Sequence, residues 1–405
     1  MAGPSSASSN QRFLARAHKF VFYVAILYII LIVALASPVL QRQASYQHAL
    51  RLPWGAKFDV PESFGFAPGK TLDFKLHTSD DVTLGAWFIL SEPYYQSLRT
   101  SAPAPLSTPS MDTIQSAMRA HPTVLYLHGA AGTRATAWRV QHFTSFTSRL
   151  QVNLLTIDYR GFADSEGSPS EDGLALDAYT AWTWLLDHGA KAEDILVVGH
   201  SLGTGVAGKL GSQLAKEGVR PRGIVLLAPF SSVTSLAETY NPMGYPILQP
   251  LQRFAWGRKL VRRLIIDAFD TLSVIEEFNV PTLIAHSVDD FEVPHSHSHT
   301  LLERLLDTIL PPPGVLPSTP GIVVNGPEFA AFTDAQSKRR DARTALVRKV
   351  EVPNFGTVEE FDGKYGRVVY VESLWGSHSK VGLQEGVQDV IATTFGLTGA
   401  AVNSS

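Results

Sequence analysis

The 405-residue sequence contains no cysteine. This absence excludes disulfide bonds, thiolate metal ligands and cysteine nucleophiles from the chain. Net charge is also small, since the formal charge is −3 at pH 7. A chain with so little net charge has no bulk electrostatic attraction for nucleic acid, and we expect no nucleic-acid partner. A covalent catalyst in this chain would need a nucleophile other than cysteine.

Long apolar runs are rare, and the one that stands out lies near the N-terminus. Residues 20–36 are apolar, and no charged residue lies between Lys19 and Arg42. This length is sufficient for a helix to cross a bilayer. A cleaved signal peptide and a buried core helix are the alternatives, but the run is long for a signal sequence. The basic residues that precede the run favour a cytosolic N-terminus, with the large domain on the lumenal or outer face.

The rest of the sequence is typical of a globular protein, with 45% hydrophobic and 18% charged residues. A dense group of aromatic and aliphatic residues predicts a cap at about 230–280, with an ordinary core helix and loops as the alternative. A proline-rich start predicts an insertion at about 310–361. We expect the following organisation: a disordered cytosolic tail over 1–19, a transmembrane helix over 20–40, a connector over 41–70, one folded domain over 71–398 that includes the cap and the insertion, and a tail over 399–405.

Short apolar runs alternate with helical patterns from residue 123 onwards. The runs lie at 123–127, 154–157, 196–199, 223–229, 281–286 and 368–371. Buried strands that alternate with amphipathic helices predict an α/β protein with a mostly parallel sheet and helices on both faces.

The third of these strands leads into the sequence Gly-His-Ser-Leu-Gly at residues 199–203. A strand that turns sharply into a helix with serine at the turn is typical of a nucleophile elbow. Gly199 and Gly203 would allow the close approach of the backbone on either side of Ser201. We therefore predict that Ser201 is a catalytic nucleophile. The alternative is an ordinary glycine-rich turn.

A serine nucleophile needs a base and an acid, which follow it along the chain at the ends of later strands. The strand that ends at His286 is followed by Asp289, Asp290 and Glu292, and we predict Asp290 as the acid because of its spacing to the Val-Pro pair that follows. Asp289 remains the alternative. The last strand is followed by His378, which we predict as the base.

Other histidines compete for a role. His295, His297 and His299 alternate in a way that resembles a metal site, but three residues at this spacing would not share one face of a helix. We therefore expect no metal and no cofactor. His286 is expected to be a packed core residue, and His200 is expected to pack beside Ser201.

The tetrahedral intermediate of acyl transfer needs two N–H donors. The amide of Leu202, at the start of the helix after Ser201, would be one. The loop at 128–132, His-Gly-Ala-Ala-Gly, would supply the other, and we predict the amide of Ala130.

Three segments in this order resemble a known family: 126–134 (YLHGAAGTR), 158–170 (DYRGFADSEGSPS) and 199–205 (GHSLGTG). They are similar to the membrane-anchored α/β-hydrolase-domain lipases that act on lysophosphatidylserine and monoacylglycerol. The resemblance implies the α/β-hydrolase fold, a triad at Ser201, Asp290 and His378, and an endoplasmic-reticulum membrane protein with a lumenal catalytic domain. The sequence departs from the family at Ala130, where the family has asparagine, and in the long insertion before His378.

These observations predict a single-pass membrane serine hydrolase that cleaves acyl esters of monoacylglycerol or lysophospholipid through an acyl-enzyme. Its partners would be a lipid substrate and the membrane. An acyl-protein thioesterase or serine peptidase on the same fold is one alternative. A catalytically silent, membrane-tethered binding protein is another.

Overall fold

One ten-stranded sheet runs through the part of the chain that the structure describes. A computed structural model describes residues 6–101, 106–239, 248–314 and 326–397. The strands are β1 (Thr71–His77), β2 (Thr83–Ile89), β3 (Thr123–Leu127), β4 (Asn153–Ile157), β5 (Ile195–His200), β6 (Gly223–Leu227), β7 (Thr282–Ser287), β8 (Arg348–Val352), β9 (Gly356–Gly363) and β10 (Gly366–Ser373).

The strand order is β1-β2-β4-β3-β5-β6-β7-β10-β9-β8. The six central strands, from β4 to β10 in this order, are parallel, and the two strands at each edge are antiparallel. The carboxyl ends of the parallel strands therefore meet at one edge of the sheet, where α/β enzymes place their sites. The predicted mostly parallel sheet is confirmed.

Helices connect the strands. They are α1 (Ser6–Leu35), α2 (Pro38–Tyr46), α3 (Glu92–Ser101), α4 (Met111–Ala120), α5 (Ala137–Arg149), α6 (Glu171–Asp187), α7 (Leu202–Lys216), α8 (Val233–Thr239), α9 (Gln249–Gln252), α10 (Ala255–Leu264), α11 (Thr271–Val274), α12 (Ser296–Asp307), α13 (Pro327–Leu346), α14 (Ser377–Lys380) and α15 (Glu385–Phe395).

The core lies on both faces of the sheet because successive side chains of a strand point in opposite directions. On β5, Val197 belongs to the cluster that includes Trp182 of α6 and Leu210 of α7. Val198 belongs to the opposite cluster, with Phe143 of α5. All six residues of β5 are buried, which explains why the sequence of this strand is a continuous apolar run without alternation.

The N-terminal helix contains a stretch, Phe13–Ala34, that is long and apolar enough to cross a membrane, and none of it is buried against the protein. The observed helices differ from the predicted tail and span. Helix α1 begins at Ser6, and so includes most of the segment 1–19 that was expected to be disordered. The predicted span over 20–40 is divided into two helices, because α1 ends at Leu35 and α2 begins at Pro38. The first position of a helix is one that proline favours.

The two predicted additions to the domain have different structures. Within 230–280, the described residues form α8, α9, α10 and α11, while part of the predicted cap, residues 240–247, lies outside the described residues. Within 310–361, the described residues form α13, β8 and most of β9, while residues 315–325 lie outside the described residues. Because β9 pairs with β10 along eight residues, this part of the predicted insertion extends the central sheet.

Candidate active site

The turn between β5 and α7 is a strained elbow. Ser201 has φ 51° and ψ −119°, in a region that L-amino acids rarely adopt. A Cβ atom at Gly199 would lie 2.4 Å from the carbonyl oxygen of Gly203, and one at Gly203 would lie 2.0 Å from that of Leu127. Neither position can hold a side chain without displacing the backbone. The two glycines therefore allow the elbow, and the elbow presents the Ser201 hydroxyl at the carboxyl edge of the sheet.

Three predicted residues from three separate loops meet at this edge. The Ser201 hydroxyl lies 2.7 Å from His378 Nε2. His378 Nδ1 lies 2.8 Å from Asp290 Oδ2. The imidazole thus joins the hydroxyl to the carboxylate, with one ring nitrogen available to accept the serine proton and the other donating to the acid.

Asp290 is held as an anion by four donors. Its Oδ1 accepts hydrogen bonds from the amides of Glu292 and Val293, at 2.8 and 2.9 Å. Its Oδ2 accepts hydrogen bonds from the imidazoles of His378 and His286. Burial alone would raise the pKa of this carboxyl, but the hydrogen bonds from the two imidazoles lower it well below its usual value. The carboxylate is therefore charged and fixed in orientation.

The hydrogen bond to Asp290 also shifts the pKa of the predicted base, His378. Burial alone would lower the pKa of His378, but the hydrogen bond and the charge of Asp290 raise it above its usual value. The backbone of His378 is held as well, because His200 Nε2 donates to its carbonyl oxygen at 2.8 Å. Burial lowers the pKa of His200 well below its usual value, so this ring is neutral. His200 acts as a brace for His378, a contact across 178 residues that the sequence did not reveal.

The loop that carries Ala130 lies against the elbow. A Cβ atom at Gly129 would lie 3.1 Å from that of Ser201, so the loop and the serine are in close contact. The buried guanidinium of Arg139 donates through Nη2 to three successive carbonyls of this loop, those of Gly129, Ala130 and Ala131. This contact fixes the orientation of the peptide groups in the loop.

The connector after α2 also holds this loop. The amides of Ala131 and Gly132 donate to the carbonyl oxygens of Tyr46 and Leu50, at 2.9 and 2.7 Å. The Leu52 carbonyl accepts the hydroxyls of two threonines in the same turn. The segment that leads from α1 and α2 into the domain is therefore part of the scaffold of the site.

A cavity of about 410 Å³ opens beside the serine. Its wall includes Ser201, His378, Ala130 and Leu202. The rest of the wall is mainly apolar and comes from two regions. Helices α8 to α10 and the segments beside them contribute side chains such as Leu236, Leu251, Val261 and Leu264, and α1 and α2 with the residues beside them contribute Ile32, Ala36, Gln41, Ala44, Ser45 and Gln47.

The competing carboxylates have other contacts. Asp289 accepts the amide of Ser377 at 2.6 Å and the hydroxyl of Ser287, so it braces the loop that leads to His378. Glu292 is largely exposed, and its Oε2 lies 3.9 Å from His378 Nε2. Of these three carboxylates, Asp290 is the one that forms a hydrogen bond with His378 Nδ1.

The three alternating histidines separate into two environments. His297 is buried, and its ring nitrogens contact the hydroxyls of Ser231 and Thr239. His295 and His299 lie one helical turn apart, and both contact Glu372 Oε2 of β10. As predicted, the three histidines do not share one face. Two of them do share a face, which was not predicted, and a glutamate 73 residues beyond His299 joins them.

Comparisons with known proteins agree with this architecture. Residues 124–364, more than half of the chain, match the model of the alpha/beta hydrolase family. The lysophosphatidylserine lipase ABHD12 of Danio rerio is 30% identical over 264 residues, which are 64% of each chain. The protein of the same name from Rattus norvegicus is 28% identical over 282 residues, 67% of this chain and 64% of the rat protein. The match thus spans slightly less than two thirds of the length of these relatives.

A crystal structure of an alpha-beta hydrolase from Vibrio vulnificus has the same fold. It superposes with a TM-score of 0.53 over 88% of this chain and 94% of its own, at 15% sequence identity. At this identity the likeness concerns the fold alone.

Proposed function

The chain belongs to the alpha/beta hydrolase family, and from this premise we propose that it is a membrane-anchored serine hydrolase that cleaves acyl esters of lysophospholipid or monoacylglycerol. The observation that carries the proposal is the 2.7 Å contact between the Ser201 hydroxyl and His378 Nε2, beside an apolar cavity. Such a cavity suits an acyl chain. The name of these relatives, lysophosphatidylserine lipase, supports this substrate class.

The proposed reaction has two steps. His378 takes the proton of Ser201, and the serine oxygen attacks the ester carbonyl to form a tetrahedral intermediate. The amides of Leu202 and Ala130 stabilise its oxyanion, and Asp290 stabilises the imidazolium. His378 then donates its proton to the leaving alcohol. Water, deprotonated by the same imidazole, attacks the acyl-enzyme and releases the fatty acid and free Ser201.

The membrane part of the proposal rests on the wall of the cavity. Ile32 and Ala36 lie at the end of the membrane-spanning stretch or just beyond it, and both line the cavity that contains Ser201. A lipid that leaves the bilayer along this helix would therefore reach the serine without crossing bulk water. The family resemblance further implies a span in the endoplasmic-reticulum membrane with the catalytic domain in the lumen.

Helix α10 supports the same arrangement. Its inner side chains, Val261 and Leu264, line the cavity, while Trp256 is 62% exposed. The outer surface also carries Arg262 and Arg263 in the last turn. Gln41 of α2 accepts the amide of Ile266 at 2.7 Å and donates to the carbonyl of Leu264 at 2.8 Å, which holds the end of α10 beside the end of the span. A helix with exposed aromatic and basic residues at this position is typical of a membrane interface.

A fluorophosphonate probe tests the nucleophile. We expect the full-length protein to be labelled and Ser201→Ala to remain unlabelled. The same pair of proteins, assayed on lysophosphatidylserine, monoacylglycerol, an acyl-peptide thioester and a peptide amide, distinguishes the proposed lipase from a thioesterase or a peptidase. Equal labelling of both proteins, or folded wild type that neither labels nor hydrolyses any of the four, contradicts the hydrolase proposal and favours a silent binding protein.

A second experiment tests the membrane arrangement. Trp256→Ser should raise the apparent KM for lysophospholipid in phosphatidylserine-containing vesicles several-fold, and should not change hydrolysis of a soluble short-chain ester, because Trp256 does not line the cavity. Tyr365→Ser is the matched control, since Tyr365 precedes β10 and lies at the opposite edge of the sheet. Equal effects of the two substitutions on the vesicle assay would contradict a membrane contact through α10.

A further inference from the structure

A second cluster of two imidazoles and a carboxylate lies outside the proposed active site. His295 Nδ1 lies 3.0 Å from Glu372 Oε2, and His299 Nε2 lies 2.8 Å from the same oxygen. The three atoms that could bind a metal all lie within 4.8 Å of one another. The proposed hydrolysis assigns no role to these three residues.

We propose that His295, His299 and Glu372 bind a divalent transition-metal ion, with Zn²⁺ as the first candidate. Two histidines and one glutamate form a ligand set that zinc uses in proteins, with a fourth position left for water. Ligands at about 2.0–2.2 Å from a tetrahedral ion lie about 3.3–3.6 Å from one another. The separations from Glu372 Oε2 to the two imidazole nitrogens, 3.0 and 2.8 Å, are about 0.3–0.8 Å shorter than this, and all three ligand atoms lie within 4.8 Å of one another. Rotation of the two half-exposed imidazoles away from the carboxylate would bring these separations to the values that the ion requires.

The backbone already holds the two histidines in register. The amide of His299 donates to the carbonyl of His295, the N-cap residue of α12, at 3.2 Å, and this helical contact places the two side chains on the same side of the start of α12. This helix is fixed to the domain by Leu301 and Leu302, which are buried in the main core. A site on such a rigid element loses little entropy when the ion binds.

The carboxylate is also positioned from a rigid strand. Glu372 lies on β10, between β7 and β9 in the sheet. Tyr370, two residues earlier and on the same face, donates its hydroxyl to Glu372 Oε2 at 3.1 Å. Contacts of this kind, from a neighbour to a metal ligand, orient the ligand. The Tyr370 ring also packs edge-on against His299, with ring centroids 4.9 Å apart.

Charge and access are compatible with a cation. The side chains of His295 and His299 are 41% and 40% exposed, so the ion can enter from solvent. Two further carboxylates, Glu303 and Glu359, act on His299 electrostatically. Each of these is paired with a cation of its own: Arg343 binds Glu303, and Lys349 lies 2.9 Å from Glu359. The negative charge that remains for the ion is therefore mainly that of Glu372.

The position suggests a structural role. His295 follows the acid loop, residues 288–294, which contains Asp290. Glu372 precedes Ser373, whose carbonyl accepts the amide of Val288 at 2.8 Å, and the chain reaches His378 six residues after Glu372. An ion bound here would join the start of α12 to the end of β10, and so would tie together the two segments that carry the proposed acid and base.

Titration with Zn²⁺ tests the site. Full-length protein in detergent, without an affinity tag and stripped with a chelator, should bind one Zn²⁺ per chain in isothermal titration and should melt at a higher temperature with the ion. Co²⁺ in place of Zn²⁺ should give the visible absorption of a tetrahedral site. His299→Ala should lower the Zn²⁺ affinity at least tenfold, and the exposed His77→Ala, on β1, should not.

Two further variants keep the test decisive if His299→Ala does not fold. His295→Ala removes an exposed ligand, and Glu372→Gln keeps the volume of the side chain but removes its charge. Each should weaken Zn²⁺ binding and should abolish the cobalt spectrum. No saturable binding by wild type, or the same affinity in wild type and in the folded variants, would overturn the proposal. Because these measurements involve no substrate, their outcome is independent of the proposed hydrolase function.

Discussion

Two clusters in this protein each combine one carboxylate with two imidazoles, at closely similar distances. In one, Asp290 Oδ2 accepts hydrogen bonds from His378 Nδ1 at 2.8 Å and His286 Nε2 at 3.0 Å. In the other, Glu372 Oε2 accepts hydrogen bonds from His299 Nε2 at 2.8 Å and His295 Nδ1 at 3.0 Å. Each is a carboxylate oxygen shared by two imidazoles, so the difference between them must come from their surroundings.

The first cluster is enclosed and the second is not. The side chain of Asp290 has no exposed surface, whereas that of Glu372 is 22% exposed. Asp290 also accepts two backbone amides, which fix its second oxygen. A carboxylate that is buried and held by the backbone can orient one imidazole toward a nucleophile. A carboxylate between two half-exposed imidazoles leaves room for an ion to enter. Burial, rather than the type of functional group, assigns different chemistry to the two clusters.

The largest effect should come from the acid in the buried cluster. Asp290→Asn removes the charge that stabilises the imidazolium and should lower kcat by about 10⁴-fold. Asp289→Asn is the matched control, because Asp289 braces the neighbouring loop and does not contact the His378 ring. Its effect on kcat should be far smaller. The measurement is kcat on a soluble ester, and a larger loss in Asp289→Asn than in Asp290→Asn would reverse the assignment of the acid.

The next effect concerns the second imidazole of the buried cluster. His286→Leu leaves Asp290 with one donor fewer and should lower the free energy of unfolding by about 1–3 kcal/mol. The carboxylate would then hold the proton of His378 more strongly, so the acidic limb of the pH–kcat/KM profile should move to higher pH. His286→Gln, which can keep a donor near Asp290, should show smaller changes in both measurements. Identical profiles for wild type and His286→Leu would show that this imidazole does not influence the base.

A related pH effect follows from the base itself. The pKa of His378 is raised by Asp290 even though burial opposes it. Only the neutral ring can accept the serine proton, so wild-type kcat/KM should rise with pH through an apparent pKa above 6.5, the ordinary value for histidine. In the residual activity of Asp290→Asn, this limb should move to lower pH. A limb that stays in place in the variant would indicate that Asp290 does not set the pKa of His378.

The smallest effect should come from Glu292, an exposed carboxylate near the base. The charge of Glu292, 3.9 Å from His378 Nε2, also raises the pKa of His378. Glu292→Gln should therefore move the acidic limb slightly to lower pH, and high salt should reduce the difference from wild type because exposed charges are screened. Asp187→Asn, at the end of α6 near the opposite edge of the sheet, is the control and should leave the limb unchanged. A salt-independent shift in Glu292→Gln would contradict a purely electrostatic effect.

Much of the architecture was predictable from the sequence. The mostly parallel sheet and the family membership are confirmed. The predicted strand at 123–127 has the same bounds in the structure. Buried parallel strands are short continuous apolar runs, and this signal is local. The catalytic roles of Ser201, Asp290, His378, Ala130 and Leu202 stay predictions, although the structure brings the first three into hydrogen-bond contact.

The parts that were not predicted all depend on contacts between distant segments. The role of His200 as a brace depends on a carbonyl 178 residues away. The extension of the sheet by β9 depends on its pairing with β10, and the position of α2 in the cavity wall depends on its docking against the end of α10. No property of the residues themselves reveals these partners, because side-chain type does not specify which distant segment will lie alongside.

The sequence by itself determined part of the elbow, since a Cβ atom at Gly199 would collide with the carbonyl oxygen of Gly203, four residues further along, and this requirement is steric and local. The requirement for glycine at 203 is not local, because a Cβ atom there would collide with the carbonyl oxygen of Leu127 in β3. The sequence also determined the order in which nucleophile, acid and base follow along the chain. Only the tertiary structure decided that Asp290 is enclosed with two imidazoles beside Ser201. It likewise decided that Glu372 meets two different imidazoles where all three side chains are partly exposed to solvent. The physical reason is that burial and distance arise from the packing of whole strands and helices, which no short segment of the chain specifies.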